Sequence, residues 1–198
     1  MSESRERKGQ KLRTREAILR AARELLSEGQ AITVIAAAER AGVSKATAYR
    51  YYSDPALLAA EAGLDVSVLP YDKVVAGAED VRAKLLAISL YFFDLAIAHE
   101  AEFRTFLGLT LAAEISASTA PGARRGGRRV SMYFKALEGV GDRLDEVQKA
   151  ALVRALSMAT GAEAMIGLYD VVGVEHDPAR ATVAEVAEAI IDRFLPGA

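Results

Sequence analysis

The chain has 198 residues, of which 52% are hydrophobic, and its formal net charge is −2. This length suits one large domain or a small domain joined to a larger one, with enough apolar residues for a substantial core. The chain contains no cysteine, which excludes disulfide frameworks, thiolate zinc sites and cysteine nucleophiles. Its polar N-terminus lacks the apolar run of a signal peptide, and no window reaches the roughly 18 consecutive apolar residues of a membrane span, so we expect a soluble, cytoplasmic protein.

Charged residues are distributed unevenly along the chain. Residues 1–52 carry 11 Lys and Arg against 6 Asp and Glu, a balance of +5, whereas residues 53–198 carry 14 against 21, a balance of −7. The positive end can approach a polyanion while the acidic remainder keeps the protein soluble. A basic, disordered tail on an ordinary globular protein has the same signature, so charge alone does not separate these two interpretations.

A first helix is predicted between Lys11 and Gly29. Glycine suits the left-handed conformation that ends many helices, so Gly29 marks the end of this one. The apolar residues recur three and four positions apart, which places them on one helical face. They are Ile18, Ala21, Ala22, Leu25 and Leu26. Residues 1–10, which precede this helix, are polar and predict a basic, disordered arm.

Three shorter helices follow, and each begins at a residue type that favours a helix start. Thr33 and Ser44 are suitable N-caps, and Asp54 is an N-cap followed by Pro55 at the first helical position. Gly42 ends the first of these helices and separates it from the second. Their predicted ranges are 33–41, 44–51 and 54–68.

The remaining residues predict longer helices separated by loops rich in proline and glycine. The predicted helical ranges are 79–99, 101–116, 133–139, 145–172 and 182–194. Capping boxes begin the last two helices, with Asp145 paired to Gln148 and Thr182 paired to Glu185. Alanine and leucine dominate, and no alternating strand pattern of useful length occurs, so we predict an all-α fold of about nine helices.

Residues 33–52 are the most informative segment. Two helices of about two turns are separated there by Ala41-Gly42-Val43, and a glycine-containing turn between such helices is typical of a helix-turn-helix. Neither helix buries enough surface alone, so the first helix must pack across both. The third helix presents cations and hydroxyls that suit the major groove of DNA. These residues are Lys45, Thr47, Tyr49, Arg50 and Tyr51.

At these residues the sequence resembles the tetracycline-repressor (TetR) family of bacterial regulators. The matching residues are Thr33-Val34, Ala38, Ala41-Gly42-Val43-Ser44, Thr47, Tyr49-Arg50-Tyr51-Tyr52 and Leu58. The resemblance covers residues 12–62, and the rest of the chain is similar only in helix count, helix order and a long penultimate helix. It implies an all-helical homodimer that binds a palindromic double-stranded operator, usually as a repressor, and is released when a small-molecule effector changes the spacing of its two DNA-reading heads.

The resemblance also divides the chain into functional regions. The predicted regions are an arm at 1–10, a DNA-binding domain at 11–53 with its motif at 33–52, a connecting helix at 54–70, and an effector-binding and dimerisation domain at 71–198. Effector domains diverge widely in this family, which accounts for the looser match of the last region. We expect no cofactor, no enzymatic activity and no membrane partner.

Residues of the motif are assigned to DNA by their position in the resemblance. The implied DNA-facing set is Thr33, Ser44, Lys45, Ala46, Thr47, Tyr49, Arg50 and Tyr51. Thr47 and Tyr49 are expected to contact phosphates, and the Ser44 cap leaves backbone N–H groups toward a phosphate. Lysine and arginine suit guanine edges and alanine suits a thymine methyl group, so Lys45, Ala46 and Arg50 are expected to contact bases.

Three positions depart from the family pattern. Ile35 and Ala36 stand where a basic and an acidic residue often occur, and Pro55 replaces a frequent lysine. A phosphate contact and a capping-box partner are therefore expected to be missing from the second helix. We interpret the basic residues near the N-terminus as a replacement source of phosphate or minor-groove contacts. They are Arg5, Arg7, Lys8, Lys11, Arg13 and Arg15.

The aromatic residues of the C-terminal region have two interpretations. They either pack in the core or line an effector cavity together with a few polar groups. The candidate effector residues are Ser89, Phe92, Phe93, His99, Phe103, Phe106, Tyr133, Phe134, Met165 and Tyr169. No metal site is expected, because neither His99 nor His176, which is placed in a loop, has a second ligand at helical spacing.

Small residues along the long helix also have two interpretations. Ala151, Ala155, Ala159 and Ala162 recur at helical spacing, which suits either internal packing or a dimer interface built from the last two helices of each subunit. We favour the dimer, because one recognition helix contacts too few base pairs for useful specificity.

Two other protein classes were weighed against a regulator. A small helical enzyme lacks support, because the sequence contains no GxSxG, HExxH or phosphate-loop motif. A helical interaction module without DNA affinity is opposed by the basic N-terminal third. The arginines at positions 124, 125, 128 and 129 lie in a glycine-rich segment that predicts a mobile, solvated loop rather than an anion site.

Overall fold

The computed structural model describes residues 2–66, 68–116 and 127–196. Every regular element in these ranges is helical, which confirms the predicted all-α class. The helices are α1 (Ser2–Ser27), α2 (Val34–Arg40), α3 (Lys45–Tyr49), α4 (Pro55–Val66), α5 (Tyr71–Val74), α6 (Val81–Ala98), α7 (Glu100–Ser116), α8 (Arg128–Leu137), α9 (Glu146–Ala159), α10 (Ala162–Ile166) and α11 (His176–Phe194). A 3-10 segment, Glu138–Arg143, follows α8, and a π-helical turn, Gly167–Val172, follows α10.

The chain folds into two compact units. Unit 1 comprises Met1–Val68 and Ala101–Arg125, and unit 2 comprises Leu69–Glu100 and Gly126–Ala198. The sequence-based boundary near residue 70 coincides with the first crossing between units. The sequence did not predict that α7 belongs to unit 1, because this depends on contacts between residues far apart in the chain.

Unit 1 is built around α1. Helix α1 packs against α2 and α4, and α2 packs against α3. The apolar face predicted for the first helix is buried except for Leu26, and it joins a core that includes Leu58 of α4 and Phe106 of α7. The helix-turn-helix therefore rests on one continuous apolar surface.

The N-terminal arm differs from its prediction. Helix α1 begins at Ser2, so the residues predicted to form a disordered arm continue the helix instead. Their composition explains the difference, because glutamate, arginine, lysine and glutamine are strong helix formers.

Unit 2 is centred on α6, which packs against α8, α10 and α11. The Asp80 carboxylate caps this helix by accepting a hydrogen bond from the amide of Ala83 at 2.8 Å. Arg180 of α11 donates to both carboxylate oxygens of Asp94, at 2.8 and 3.1 Å. This two-point contact fixes the register of α11 against α6.

The long helix predicted over residues 145–172 is broken. Its capping box is confirmed, since Asp145 accepts from the amide of Gln148 at 2.7 Å and Gln148 accepts from the amide of Asp145 at 2.9 Å. Helix α9 ends at Ala159, however, and Gly161 has a φ of 86°. This left-handed conformation is accessible to glycine and interrupts the helix.

Arg129 occupies the break between α9 and α10. Its guanidinium donates to the carbonyl of Thr160 at 2.5 Å and to that of Ser157 at 2.8 Å, which satisfies carbonyls at the end of α9. The prediction of a solvated loop is thus wrong for Arg129, because its partners lie about 30 positions further along the chain. Arg128 is also helical, in α8, and Arg124 and Arg125 lie outside the described residues.

The start of the last helix was predicted too late. Helix α11 begins at His176, so His176 is not in a loop. The hydroxyl of Thr182 donates to the carbonyl of Pro178 at 2.9 Å instead of capping a helix start. The predicted capping box at Thr182 is therefore wrong, because the helix already begins six residues earlier, at His176, with Glu175 at the N-cap position.

Glu146–Val172 is long and apolar enough to cross a membrane, judged by length and composition only. The break at Gly161 divides it, and Leu152, Val153 and Leu156 are buried in unit 2. A core helix passes the same test of length and composition.

Three buried hydroxyl groups meet in the core of unit 2. The Tyr133 hydroxyl lies 2.8 Å from Ser89 Oγ and 3.1 Å from Thr160 Oγ1. Ser89 also donates to the carbonyl of Leu85, and Thr160 to that of Leu156, each at 2.8 Å. Three hydroxyl protons thus serve four contacts, and Tyr133 can donate to only one neighbour when the other two bind carbonyls. Burial raises the pKa of Tyr133, which keeps the phenol protonated.

Replacing Tyr133 by phenylalanine is expected to cost little stability. Ser89 and Thr160 keep their carbonyl acceptors, so Tyr133→Phe should lower the free energy of unfolding by about 1 kcal/mol. Urea denaturation followed by circular dichroism measures the change, with Tyr49→Phe as an exposed control. A loss of about 3 kcal/mol or more would show that the two hydroxyls depend on Tyr133 as their partner.

Candidate nucleic-acid interface

The turn between α2 and α3 has a defined hydrogen-bond pattern. Gly42 has a φ of 67°, and its amide donates to the carbonyl of Glu39 at 3.2 Å. The amide of Val43 donates to the carbonyl of Ala38 at 3.0 Å. These two bonds form a Schellman motif, which requires a left-handed residue at the position of Gly42. The turn therefore sets the direction in which α3 leaves α2.

Both short helices have side-chain caps at the predicted residues. Thr33 Oγ1 accepts from the amide of Ala36 at 3.0 Å, and Ser44 Oγ accepts from the amide of Thr47 at 3.1 Å. The hydroxyls of Ser44 and Thr47 are also 2.8 Å apart. A helix of five residues is unstable alone, so α3 depends on this cap and on its packing.

The departures noted in α2 are visible in its first turn. The amide of Ala36 donates to Thr33 Oγ1, but the Ala36 side chain has no acceptor for the amide of Thr33, so half of a capping box is absent. Ile35 is exposed, at the position where a basic residue often occurs in the sequence pattern that this chain resembles.

The predicted DNA-facing residues of α3 divide into an exposed set and a buried set. Lys45, Ala46 and Arg50 are exposed, Tyr49 is 44% exposed, and Thr47 is half-buried. Ala48 and Tyr52 are fully buried, as a core role for Tyr52 predicts. Thr33 and Ser44 are also exposed.

Tyr51 does not join the exposed set. Its side chain is only 8% exposed and packs in the core of unit 1, so most of its surface is withheld from DNA. Helix α3 ends at Tyr49. Tyr51 lies beyond this end, so helical spacing does not predict which way its side chain points. We therefore define the reading surface as Lys45, Ala46, Tyr49 and Arg50.

A buried ion pair within unit 1 supports the segment that carries the reading surface. Arg15 of α1 lies 2.5 Å from the carboxylate of Glu61 on α4, and the Tyr52 hydroxyl donates to the same oxygen at 3.0 Å. The guanidinium also lies over the Tyr52 ring, 5.2 Å from its centroid. This cluster connects α1 and α4 with the segment that directly follows α3.

The protonation states in this cluster favour the observed contacts. Burial acts to lower the pKa of Arg15, but the neighbouring Tyr52 and Glu61 outweigh it and the net shift is upward. Burial, followed by the charge of Glu61, raises the pKa of Tyr52 well above its usual range. Arg15 is thus a cation and Tyr52 a neutral donor.

Two surface ion pairs flank the turn. Lys45 Nζ lies 3.6 Å from the carboxylate of Glu39, and Arg40 lies 2.8 Å from that of Glu28. The sequence analysis did not identify Glu39 as a partner of Lys45. The signal was available, because Glu39 precedes Gly42 by three residues and the turn at Gly42 brings the end of α2 close to the start of α3.

The candidate effector residues are divided between the two units. Ser89, Phe92, Phe93, Tyr133 and Met165 are buried in unit 2. Phe103 and Phe106 belong to the core of unit 1 instead, and Phe134 is 42% exposed. His99 and Tyr169 are half-buried in unit 2. Each unit therefore contains part of the candidate set.

Neither histidine is placed among metal ligands. His176 Nδ1 lies 2.8 Å from the carboxylate of the adjacent Asp177. Across residues 2–66, 68–116 and 127–196, no group of three or more histidine, aspartate or glutamate side chains is arranged to hold a metal ion.

Comparisons of this chain with models of known protein families, with curated proteins and with solved structures found no match.

Loss of the Glu61 charge should destabilise unit 1. Glu61→Gln leaves the Arg15 cation buried without a counter-charge, which costs about 3–5 kcal/mol. Thermal and urea denaturation measure the effect, and Glu24→Gln, at an exposed position of α1, is the matched control. A change of less than about 1 kcal/mol would mean that water reaches the pair and screens it.

Proposed function

We propose that this chain is a DNA-binding transcriptional regulator of the TetR type. It acts as a homodimer, binds a palindromic operator as a repressor, and is released by a small-molecule effector bound in unit 2. The observation that carries the proposal is the exposed set Lys45, Ala46, Tyr49 and Arg50 on a capped helix that follows a Schellman turn.

The chemistry of the reading surface suits a DNA groove. Lys45 and Arg50 offer donors to the guanine O6 and N7 atoms, and Ala46 offers a methyl group to thymine. Tyr49 offers its hydroxyl to a phosphate. Ala48 and Tyr52, in the same segment, are fully buried and anchor it in the core. The four exposed side chains are therefore held on a rigid element.

Exposed apolar residues on the last helices support self-association. Val147 and Met158 are 75% and 78% exposed, and they share one face of α9 with the half-exposed Ala151 and Ala155. Small residues between larger apolar ones allow close approach of a second helix. Pairing of two copies through α9 and α11 would give the twofold symmetry that a palindromic operator requires.

An effector in unit 2 would act by favouring one spacing of the two DNA-binding units over another. Coupling between the two ligands is reciprocal and typically amounts to about 1–3 kcal/mol. The effector should therefore weaken operator binding, and the operator should weaken effector binding by the same factor.

Substitutions in the reading surface should weaken binding to a selected duplex. The duplex is obtained by repeated selection of random double-stranded DNA on the parent protein. Lys45→Ala and Arg50→Ala should each lower affinity for it by about 1–3 kcal/mol, roughly 5- to 150-fold, because each removes a base-edge donor. Fluorescence anisotropy at several salt concentrations measures the affinity.

Matched controls are Lys73→Ala and Arg143→Ala, which remove exposed cations from unit 2. They should leave the affinity within about twofold, since they are distant in sequence from the motif and affect only the general charge. If the parent protein enriches no sequence, the proposed function fails. If Lys45→Ala and Arg50→Ala bind like the parent, the assignment of the reading surface fails.

A charge on the exposed face of α9, near the end of the helix, should disrupt the dimer. Met158→Glu would place two carboxylates in an apolar interface and should weaken self-association by more than roughly tenfold. Sedimentation equilibrium measures the association, and Leu111→Glu on the exposed part of α7 is the control. Unchanged self-association of Met158→Glu would remove this face from the interface.

A further inference from the structure

Glu39 lies near the end of α2 and forms an ion pair with Lys45 of the reading surface. Between Glu28 and Asp54 it is the only acidic residue of the chain. Its carboxylate lies 3.6 Å from Lys45 Nζ, and the two side chains are 65% and 61% exposed. A carboxylate so placed would meet the field of the DNA phosphates whenever α3 approaches a duplex.

We infer that Glu39 is a specificity-determining residue, which pairs with Lys45 to suppress binding to DNA that lacks the correct bases. This inference rests on the proposed function and adds a role for a residue outside the reading surface. Glu39 is a positioning residue, because it acts through the Lys45 ammonium group rather than through a base.

The pair affects the two kinds of DNA binding differently. Binding without sequence recognition depends on cations that replace the counterions condensed on phosphates. The charges of Lys45 and Glu39 nearly cancel when viewed from a distant phosphate. The pair therefore contributes little to the general attraction between the protein and DNA. Non-specific affinity is lower than the number of cations in the motif would suggest.

Recognition of a guanine edge survives in the presence of the pair. A lysine ammonium group has three N–H donors and can donate to Glu39 and to guanine O6 or N7 at once. Glu39 thus removes the general attraction of Lys45 and leaves its directional hydrogen bond.

Glu39→Gln removes the charge and keeps the size of the side chain. On an unrelated duplex of the same length, it should tighten binding about eightfold at 0.1 M salt and steepen the salt dependence by about 0.9, as expected for one additional phosphate contact. On the duplex selected by the parent protein, affinity should change less than about twofold. The ratio of specific to non-specific affinity therefore falls several-fold.

The double variant Glu39→Gln/Lys45→Ala tests whether Glu39 acts through Lys45. Without the lysine, the gain on unrelated DNA should shrink to less than about twofold, because no cation is released to meet a phosphate. Glu28→Gln is the matched control, since it also removes one carboxylate from a surface ion pair of unit 1. Its specificity ratio should remain that of the parent.

Three results would overturn the inference. They are an unchanged specificity ratio in Glu39→Gln, an equal gain with and without Lys45, or an equal gain in Glu28→Gln. The last two would indicate a general charge effect. These results are distinct from failure of the proposed function, in which the parent protein selects no duplex. Circular dichroism and melting temperature show whether each variant is folded, and substitutions at these exposed positions should leave both unchanged.

Discussion

The contact among Arg15, Glu61 and Tyr52 constrains three parts of unit 1 at once. A buried charge is tolerated only when it is paired and hydrogen-bonded, so none of these side chains can move independently without a large loss of free energy. The cluster therefore fixes the positions of α1, α4 and the residues after α3 relative to one another. The angle at which α3 presents its surface depends on it, although none of the three residues belongs to that surface.

Stability and recognition are separated within the short helices. The cap of Ser44, the turn at Gly42 and the buried Ala48 hold α3 in place, and each acts on the backbone or on the core side. The exposed Lys45, Ala46 and Arg50 contribute little to the core. Such a division allows the exposed residues to vary while the fold is kept, as the proposed role in DNA recognition would require.

Several local signals in the sequence predicted local structure correctly, although the capping box at Thr182 and the unbroken helix through Gly161 were wrong. The caps at Thr33 and Ser44, the turn at Gly42 and the capping box of Asp145 involve atoms only a few residues apart, so residue type and spacing determine them. The contacts that were not predicted connect distant residues. Arg129 reaches the end of α9, and Phe103 and Phe106 pack with the N-terminal helices, and neither arrangement leaves a periodic pattern in the sequence.

Thr160 connects the core of unit 2 with the break in the long apolar helix. Its hydroxyl lies against Tyr133, and its carbonyl accepts from Arg129 at the residue that precedes Gly161. A molecule that displaced the Tyr133 hydroxyl would therefore disturb the same residue at which α9 ends. The exposed Met158 lies on the near side of that break, and Val171 lies on the far side. If the chain is the ligand-responsive dimer proposed above, this arrangement would connect a buried polar group with the proposed dimer surface, because packed interfaces switch between discrete arrangements.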